Sequence, residues 1–562
     1  MASMPQITAL DVTSPEEREK MFPTLTEAQI ARVVAYGTVR ETPAGKLLVE
    51  QGQHDLPFIL VISGAMEILR LSPRGDQLVV VHGPGNFFGD VTMLSSRPSL
   101  VSARMRDAGQ LVIMDRKCVQ SLVQNDAELG DIFMRAFILR RVNLIAQGWG
   151  NVLVLGSSHS AGTLRVREFL SRNGHPYTYV DLENDEGTQE LLDRFQVGAA
   201  DVPVLICGGK TILRNPTNEQ VADCLGFNAG IDARQLRDVI IVGAGPAGLS
   251  SAVYAASEGL SALVVETTAP GGQAGSSSKI ENYLGFPTGI SGLDLAGRAI
   301  NQAQKFGAEM MIGHRVQRLT CARKPYTIEV EGGQKLSSRT LVIASGVQYR
   351  KLPLPNMSQF DSTGVYYWAT PMEAQLCTGD EVIVVGGGNS AGQAAVYLAK
   401  TAAHVHILIR AEGLAGTMSR YLIRRIEESS SITVHPNTEI TALHGGDGKL
   451  DRVEWRETKT GKAEERDICH VFVMTGAKPN TEWLGACVVK DRQGFIKTGP
   501  ALTPDDLLAA HWPLTRSPYF LETSLPGVFA VGDVRAGNIK RIASAVGEGS
   551  IAISLVHQAL NE

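Results

Sequence analysis

Cysteine is scarce and scattered: seven residues in 562, at positions 118, 207, 224, 321, 377, 469 and 487, with no CxxC pair. That spacing excludes a zinc knuckle and a disulfide-dense scaffold, and it predicts buried, reduced thiols and no metal site. Long apolar runs are also missing. None approaches the ~18 residues of a membrane-spanning helix, and the opening MASMPQITALDVTSPEEREKM has neither the basic region nor the apolar core of a secretory signal. A cytoplasmic protein without membrane insertion is expected. Positive charge is not in excess either: 53 Lys and Arg face 58 Asp and Glu, a net charge of −5. Nucleic acid, a polyanion, is therefore not an expected partner.

What the chain has is length and glycine. At about 100–200 residues per domain it divides into roughly three to five domains, and many of its 58 glycines fall in two strand-glycine-helix fingerprints. These are VIIVGAGPAGLS from Val239 and VIVVGGGNSAG from Val382, each a β-branched strand followed by a glycine turn. Gly243 and Gly386 allow the tight turn, while Gly245 and Gly388 let backbone approach a pyrophosphate. Gly248 and Ala391 are small enough for helix to pack on strand. Pro246 and Ala247, like Asn389 and Ser390, open helices whose free N–H groups suit phosphates. Glu266 ends the second strand of the first unit, about 20 residues on, where a carboxylate binds a dinucleotide ribose. A third signature, GVFAVGD, holds Gly532 and Asp533.

From about Asp238 onward the chain resembles the low-molecular-weight thioredoxin reductase family. The motifs are APGGQAG (269–275), IENYLGFP (280–287), LVIASG (341–346), VFVMTGAKPNT (471–481) and KRIASAVGEGS (540–550). The resemblance implies FAD contacts from Gly272, Gln273, Asn282, Val316, Ala344, Gly346 and Asp533, and backbone N–H groups of Ile542 and Ala543 at the flavin pyrimidine edge. It also implies an FAD domain, 236–353 and 482–562, interrupted by an NAD(P)H domain, 354–481. The nicotinamide half would rotate about crossings near Leu354 and Thr481.

The departures are informative. The family's GVxYCATC dithiol segment reads GVYYWATP here, with Trp368 and Pro371 in the cysteine positions. Trp368 is a candidate to stack near the isoalloxazine, and Cys377 has no partner close in sequence. After the strand VHILIR, Arg410 stands where a guanidinium pairs with a 2′-phosphate, and Arg420 and Arg424 come later, so NADPH is favoured over NADH. The segment 509–527 is longer and more aromatic than the family's, and either lines an acceptor site or covers the flavin.

Residues 26–125 alternate short apolar strands with glycine turns, a β-barrel or jelly-roll pattern. Their order resembles a cyclic-nucleotide-binding domain, here 1–148, with Gly64 in a hairpin and FFGDVTMLSSRPSLVSA (87–103) in the place of the phosphate cassette. Asp90 replaces the ribose-binding glutamate and Ser99 the phosphate-binding arginine. Arg97 compensates only if the loop is rearranged. A barrel used for packing or dimerisation is thus favoured over one that holds a cyclic nucleotide. The next helix places Leu129, Ile132, Phe133, Phe137 and Ile138 on one face, which in such proteins pairs subunits, so a homodimer is expected.

Residues 149–227 resemble a glutaredoxin-like fold, with Val202-Pro203 at the cis-proline position. The CxxC position reads SAGT (160–163), and Cys207 is expected in the core. The full expectation is a multidomain chain: a β-barrel, a thioredoxin-like α/β unit and two Rossmann-like domains. Its function reads as an FAD-dependent NADPH oxidoreductase that passes electrons to a small-molecule or redox-protein acceptor without a CxxC pair. The alternatives are a redox-sensing scaffold, and a thioredoxin reductase whose cysteines pair only in space.

Overall fold

The computed structural model describes residues 15–70, 76–90, 93, 98–146, 152–157, 160–182, 201–207, 211–277, 280, 282–360, 364–367, 369, 371–446 and 449–562. Arg97 and Trp368 fall outside them.

The N-terminal strands form two four-stranded antiparallel sheets. One runs in the order Thr38–Thr42, Gly109–Met114, Phe58–Val61, Phe87–Phe88; the other runs Leu47–Val49, Ser102–Asp107, Ala65–Arg70, Gln77–His82. Gly64 has φ +81°, and a Cβ there would lie 2.6 Å from Ala108 O, so the hairpin demands glycine. The helix Ala127–Ala146 closes the barrel. Phe133 and Phe137 are fully buried, and Phe133 packs 4.9 Å from Phe58 and 4.8 Å from Phe87 between ring centroids. Each such ring contributes about 2–3 kcal/mol of burial. Phe133, Phe137 and Leu129 of the stripe expected to pair subunits are therefore spent on the barrel itself.

In the second unit the sheet order is Thr178–Asp181, Val152–Gly156, Val204–Cys207, Thr211–Arg214. The first two strands are parallel across the helix Ala161–Arg172, and the last two are antiparallel to their neighbours. Val202-Pro203 is cis. A Cβ on Gly162 would lie 2.7 Å from Pro203 Cδ, so the SAGT turn sits against that proline. Cys207 is not a free core thiol. It is bonded to Cys224, with Cα atoms 6.5 Å apart, and a second disulfide joins Cys321 to Cys487. The expectation of reduced thiols fails for these four residues because each pair is brought together by the fold from distant sequence positions, which spacing cannot reveal.

This unit is fastened to the next. Val154, Phe169 and Leu205 share one continuous core with Val239, Ile241 and Ala252. Arg172 Nη2 donates to Gly272 O (2.8 Å), Asn173 Nδ2 to Thr268 O (3.1 Å), and Asn228 exchanges two bonds with the Ile312 backbone.

The large sheet has the order Glu309–Ile312, Ala262–Glu266, Arg237–Val242, Lys335–Ile343, Tyr326–Val330, Val316–Thr320, with Val528–Ala530 parallel to the end of Lys335–Ile343. A second, five-stranded parallel sheet runs Val365–Tyr366, His470–Val473, Glu381–Val385, His404–Leu408, Ile432–His435. Both passages of chain between the two sheets meet in a two-stranded ribbon, Val347–Tyr349 against Ala477–Pro479.

The aromatic segment 509–527 is a clamp on the chain's C-terminal end. Glu522, fully buried, accepts bonds from Arg516 (2.6 and 3.2 Å), Tyr519 N (2.9 Å) and Gly527 N (2.8 Å), while Arg516 also grips Glu562. Replacing Arg516 by alanine leaves that carboxylate buried without its cation and should cost about 3 kcal/mol. The expected outcome is a lower urea midpoint at unchanged slope.

Candidate functional site

The three parallel strands Arg237–Val242, Lys335–Ile343 and Val528–Ala530 end together, and the first and third run straight into glycine turns at Gly243 and Gly532. Gly243 has φ +103°, and a Cβ there would fall 2.4 Å from Ala344 O. On Gly248 a Cβ would meet Gly243 O at 1.9 Å, so the helix Pro246–Ser257 lies directly on the turn. Gly245 differs: a Cβ there meets only Gly272 Cα, at 4.0 Å, which leaves a cradle open beside the helix.

That helix start is also unusual for this molecule. The helices beginning at Glu27, Arg116, Ala161, Asn218, Gly292 and Pro504 are capped by the side chains of Thr26, Asp115, Ser160, Thr217, Ser291 and Thr503. The helices Pro246–Ser257, Asn389–Leu398, Arg420–Glu427 and Ile542–Leu560 have no side-chain cap, and the first, second and fourth of them follow the glycine signatures. Their first N–H groups are thus left for an anionic or carbonyl ligand.

Glu266 ends its strand with the carboxylate turned to the first of these turns. It accepts from Ala244 N (2.8 Å) and Thr268 N (2.9 Å), which fixes it beside the cradle. At the third strand Gly532 has φ +71° and packs against Ala247. Asp533 comes next, its carboxyl pushed up by burial and drawn back by Lys540. Glu548 organises this corner. It accepts from Gly532 N (2.7 Å), Asn538 Nδ2 (2.8 Å) and the Arg535 guanidinium. Sequence reasoning missed Glu548, although a single acid within IASAVGEGSIAISLV was a signal.

The other expected residues divide. Ala344 lies against the first turn, Gly346 O accepts from Asn480 N (3.0 Å), and Gln273 Nε2 donates to Val347 O (2.6 Å), tying its loop to the ribbon. Ile542 and Ala543 form the uncapped first turn of their helix. Val316 is buried in the core beneath the sheet, and Asn282 is exposed on its loop.

The second fingerprint repeats the first. Gly386 has φ +140° with Met474 O 2.4 Å from its Cβ position, nothing lies within 4 Å of the Gly388 position, and Ala391 is fully buried. Asn389 Oδ1 accepts from Ser419 N (2.7 Å), folding the segment after Arg410 against this turn; Ser390 is exposed beside it. Arg410 and Arg420 are exposed and form no ion pair among the described residues, whereas Arg424 pairs with Glu428 (3.5 Å).

No sulfur is available where a dithiol would stand. Pro371 begins a short helix, Pro371–Leu376, and Cys377 beyond it is fully buried, its Sγ donating to Glu373 O (2.7 Å). Burial, with Glu373 and Asp380 adding to it, pushes that thiol up to about 12. By strand register Cys321 lies near the level of Ser337 and Ser338, which pairs with Arg237, roughly 16 Å of strand from the exit ends.

Two outcomes are expected. Glu548→Ala frees the Gly532 amide and Arg535, and the purified protein should lose most of its 450 nm absorbance relative to 280 nm. With a thiolate fraction of about 1 in 10⁴ at pH 8, Cys377 should resist iodoacetamide until the protein unfolds, while exposed Cys469 is alkylated; peptide mass spectrometry reads both.

The pyridine nucleotide-disulphide oxidoreductase family matches residues 237–549, and the cyclic nucleotide-binding domain matches residues 39–126. The chain is similar to NADPH-dependent thioredoxin reductase 3 of Arabidopsis thaliana, 32% identical over 361 residues, which are 61% of this chain and 64% of that protein. It is 31% identical over 328 residues to the thioredoxin reductase of Bacillus subtilis, 58% of this chain and 96% of that one. Among solved structures, Lactococcus lactis thioredoxin reductase in its FR conformation matches with TM-score 0.51 and 28% identity, covering 58% of this chain and 99% of the other.

Proposed function

Because the chain belongs to the pyridine nucleotide-disulphide oxidoreductase family, in its thioredoxin reductase-like form, we propose that it oxidises NADPH and passes the electrons from FAD to an acceptor other than a CxxC protein. The observation that carries this reading is the missing sulfur. GVYYWATP holds no cysteine, and Cys377 is a buried, unpaired thiol. Thiol-disulfide exchange needs an attacking thiolate and a resolving thiol, and this position supplies neither. A quinone, dioxygen, a small disulfide or an iron-sulfur protein are the acceptor classes that remain.

The residues present suit the two cofactors the family implies. The Gly245–Gly272 cradle and the uncapped helix at Pro246 would hold the FAD pyrophosphate, Glu266 the adenosine ribose, Asp533 the ribityl chain, and the helix start at Ile542 and Ala543 the pyrimidine edge. Gly388 with the Asn389 helix would hold the NADPH pyrophosphate, and Arg410 the 2′-phosphate. When bound, FAD supplies two-electron redox chemistry. The chain contributes orientation and the ribbon at Val347–Tyr349, about which the nicotinamide half would turn.

We read the second unit as a glutaredoxin-like module that lacks its nucleophile and is docked rather than mobile. Two cysteine pairs favour a narrower second reading, in which Cys207–Cys224 or Cys321–Cys487 relays electrons to thioredoxin.

Anaerobic titration with NADPH should bleach the flavin near 450 nm; no bleaching with NADPH or NADH would sink the reductase reading. Steady-state turnover should persist with quinone in a Cys207→Ser/Cys321→Ser double variant, and loss of turnover there would favour the thiol relay. Arg410→Ala should raise KM for NADPH about tenfold, worth about 1.4 kcal/mol of binding, and leave KM for NADH nearly unchanged.

A further inference from the structure

Inside the N-terminal barrel, among the described residues, lies a small, partly open cavity of about 50 Å³. Most of its wall is apolar, built from Leu56, Ile68, Val79, Val80, Phe88 and Val101. Five polar side chains also line it, Asp90, Ser99, His82, Arg140 and Asn143, and the last three each present an atom that no described protein group satisfies: His82 Nδ1, Arg140 Nη2 and Asn143 Oδ1. His82 is 2% exposed and Arg140 7%. A buried polar atom without a partner costs about 1–3 kcal/mol, more when charged, so three around one cavity point to a ligand.

The guanidinium is built in. Arg140 comes from the closing helix Ala127–Ala146, and donates through Nε to Met21 O (2.9 Å) and through Nη1 to Phe87 O (3.0 Å) and Gly89 O (2.8 Å). It also lies over the Phe87 and Phe22 rings, at 4.6 and 5.0 Å. Those bonds aim Nη2 alone at the cavity. Burial lowers Arg140 to about 9, which still leaves it charged at neutral pH. Burial, with Arg140 nearby, holds His82 well below its ordinary value, so its imidazole is neutral.

Among the described residues, the cassette side of the cavity has nothing comparable to offer. Ser99, which stands in the phosphate-binding position, is buried and fully used. Its Oγ donates to Val101 O (2.7 Å), its N–H to Gln53 O (2.9 Å), and its carbonyl accepts from Gly52 N (2.8 Å). Asp90 lines the same wall and places a carboxylate in the field of any incoming anion. One free guanidinium N–H₂ opposite a carboxylate suits a single, diffuse negative charge and not a phosphate, which asks for several donors.

We propose that the barrel cavity binds a small apolar carboxylic acid as its anion, the carboxylate on Arg140 and the hydrocarbon body against the aliphatic wall, instead of a cyclic nucleotide. Asn143 Oδ1 and His82 would take a hydroxyl or N–H of the same ligand.

The test is calorimetric titration of the intact FAD-containing protein with octanoate, phenylacetate, octanol, cAMP and cGMP. At least one carboxylate should bind saturably at one site per chain. Octanol, of the same body without the charge, should bind at least about tenfold more weakly. Arg140→Gln should weaken the carboxylate by a similar factor. Because that change also removes structural bonds, Val101→Trp provides a second variant that fills the cavity and keeps Arg140; it should abolish binding while FAD content stays unchanged. Absence of binding by both carboxylates, octanol binding as tightly as octanoate, carboxylate binding that survives Val101→Trp, or cAMP or cGMP binding more tightly than either acid would each overturn the proposal.

Discussion

The contact on which the nucleotide end of the molecule depends is the close crossing of the helices Pro246–Ser257 and Ile542–Leu560. A Cβ on Gly549 would fall 2.3 Å from Ala247 O, and Gly532 already brings its backbone against the Ala247 methyl. Ser250 and Ser251 lock the crossing by donating to Val546 O (2.7 Å) and Gly549 O (3.2 Å). Helices that approach this closely hold their uncapped starts side by side, so two sets of unsatisfied N–H groups face the same edge of the sheet. Pro246 and Ile542 are separated by nearly the whole C-terminal half of the chain, including the five-stranded parallel sheet. Their juxtaposition therefore presupposes that the large sheet has closed around Val528–Ala530 and that the clamp on Glu522 and Glu562 has formed behind it.

How much of this could be read from sequence depends on whether the cause was local. The turns at Gly243 and Gly386 were legible because a positive φ and a backbone approach leave glycine as the residue that fits, and Glu266 was legible because a strand end fixes where its carboxylate goes. Glu548 was legible only as a lone acid in an apolar run and its role was not, since its three partners lie 10 to 16 residues upstream, across a turn whose shape the sequence does not encode on its face. The disulfides were illegible for the same reason at longer range: 17 residues separate Cys207 from Cys224, and 166 separate Cys321 from Cys487. The stripe on the helix Ala127–Ala146 was read correctly as apolar, and Leu129, Phe133 and Phe137 of it are covered by the barrel. Periodicity reports that a face is buried and is silent on what covers it.

Cysteine is present in this chain, but not at the two positions where the resemblances place a dithiol. The positions next to the SAGT turn and in GVYYWATP are without cysteine, while four of the seven cysteines sit in disulfides away from both. Cys321–Cys487 joins the flavin half across the point where the nicotinamide domain is inserted, since one partner precedes the insertion and the other lies beyond it. A cross-link of that kind limits the unfolded chain. The free thiol that follows the GVYYWATP segment, Cys377, is held protonated by burial.

Two kinds of attachment join the parts of this chain. The contacts that fasten the N-terminal units fall on the flavin half: Arg172 on Gly272, Asn173 on Thr268, Asn228 on Ile312, and Gln124 Nε2 on Lys305 O (3.3 Å). The nicotinamide half is joined instead through the ribbon, with Ser345 and Asn480 bonded to each other at its root (2.8 Å each way). None of the four fastenings involves that ribbon. The Gly272 carbonyl, held by Arg172, ties the α/β unit to the loop that faces the Gly245 cradle.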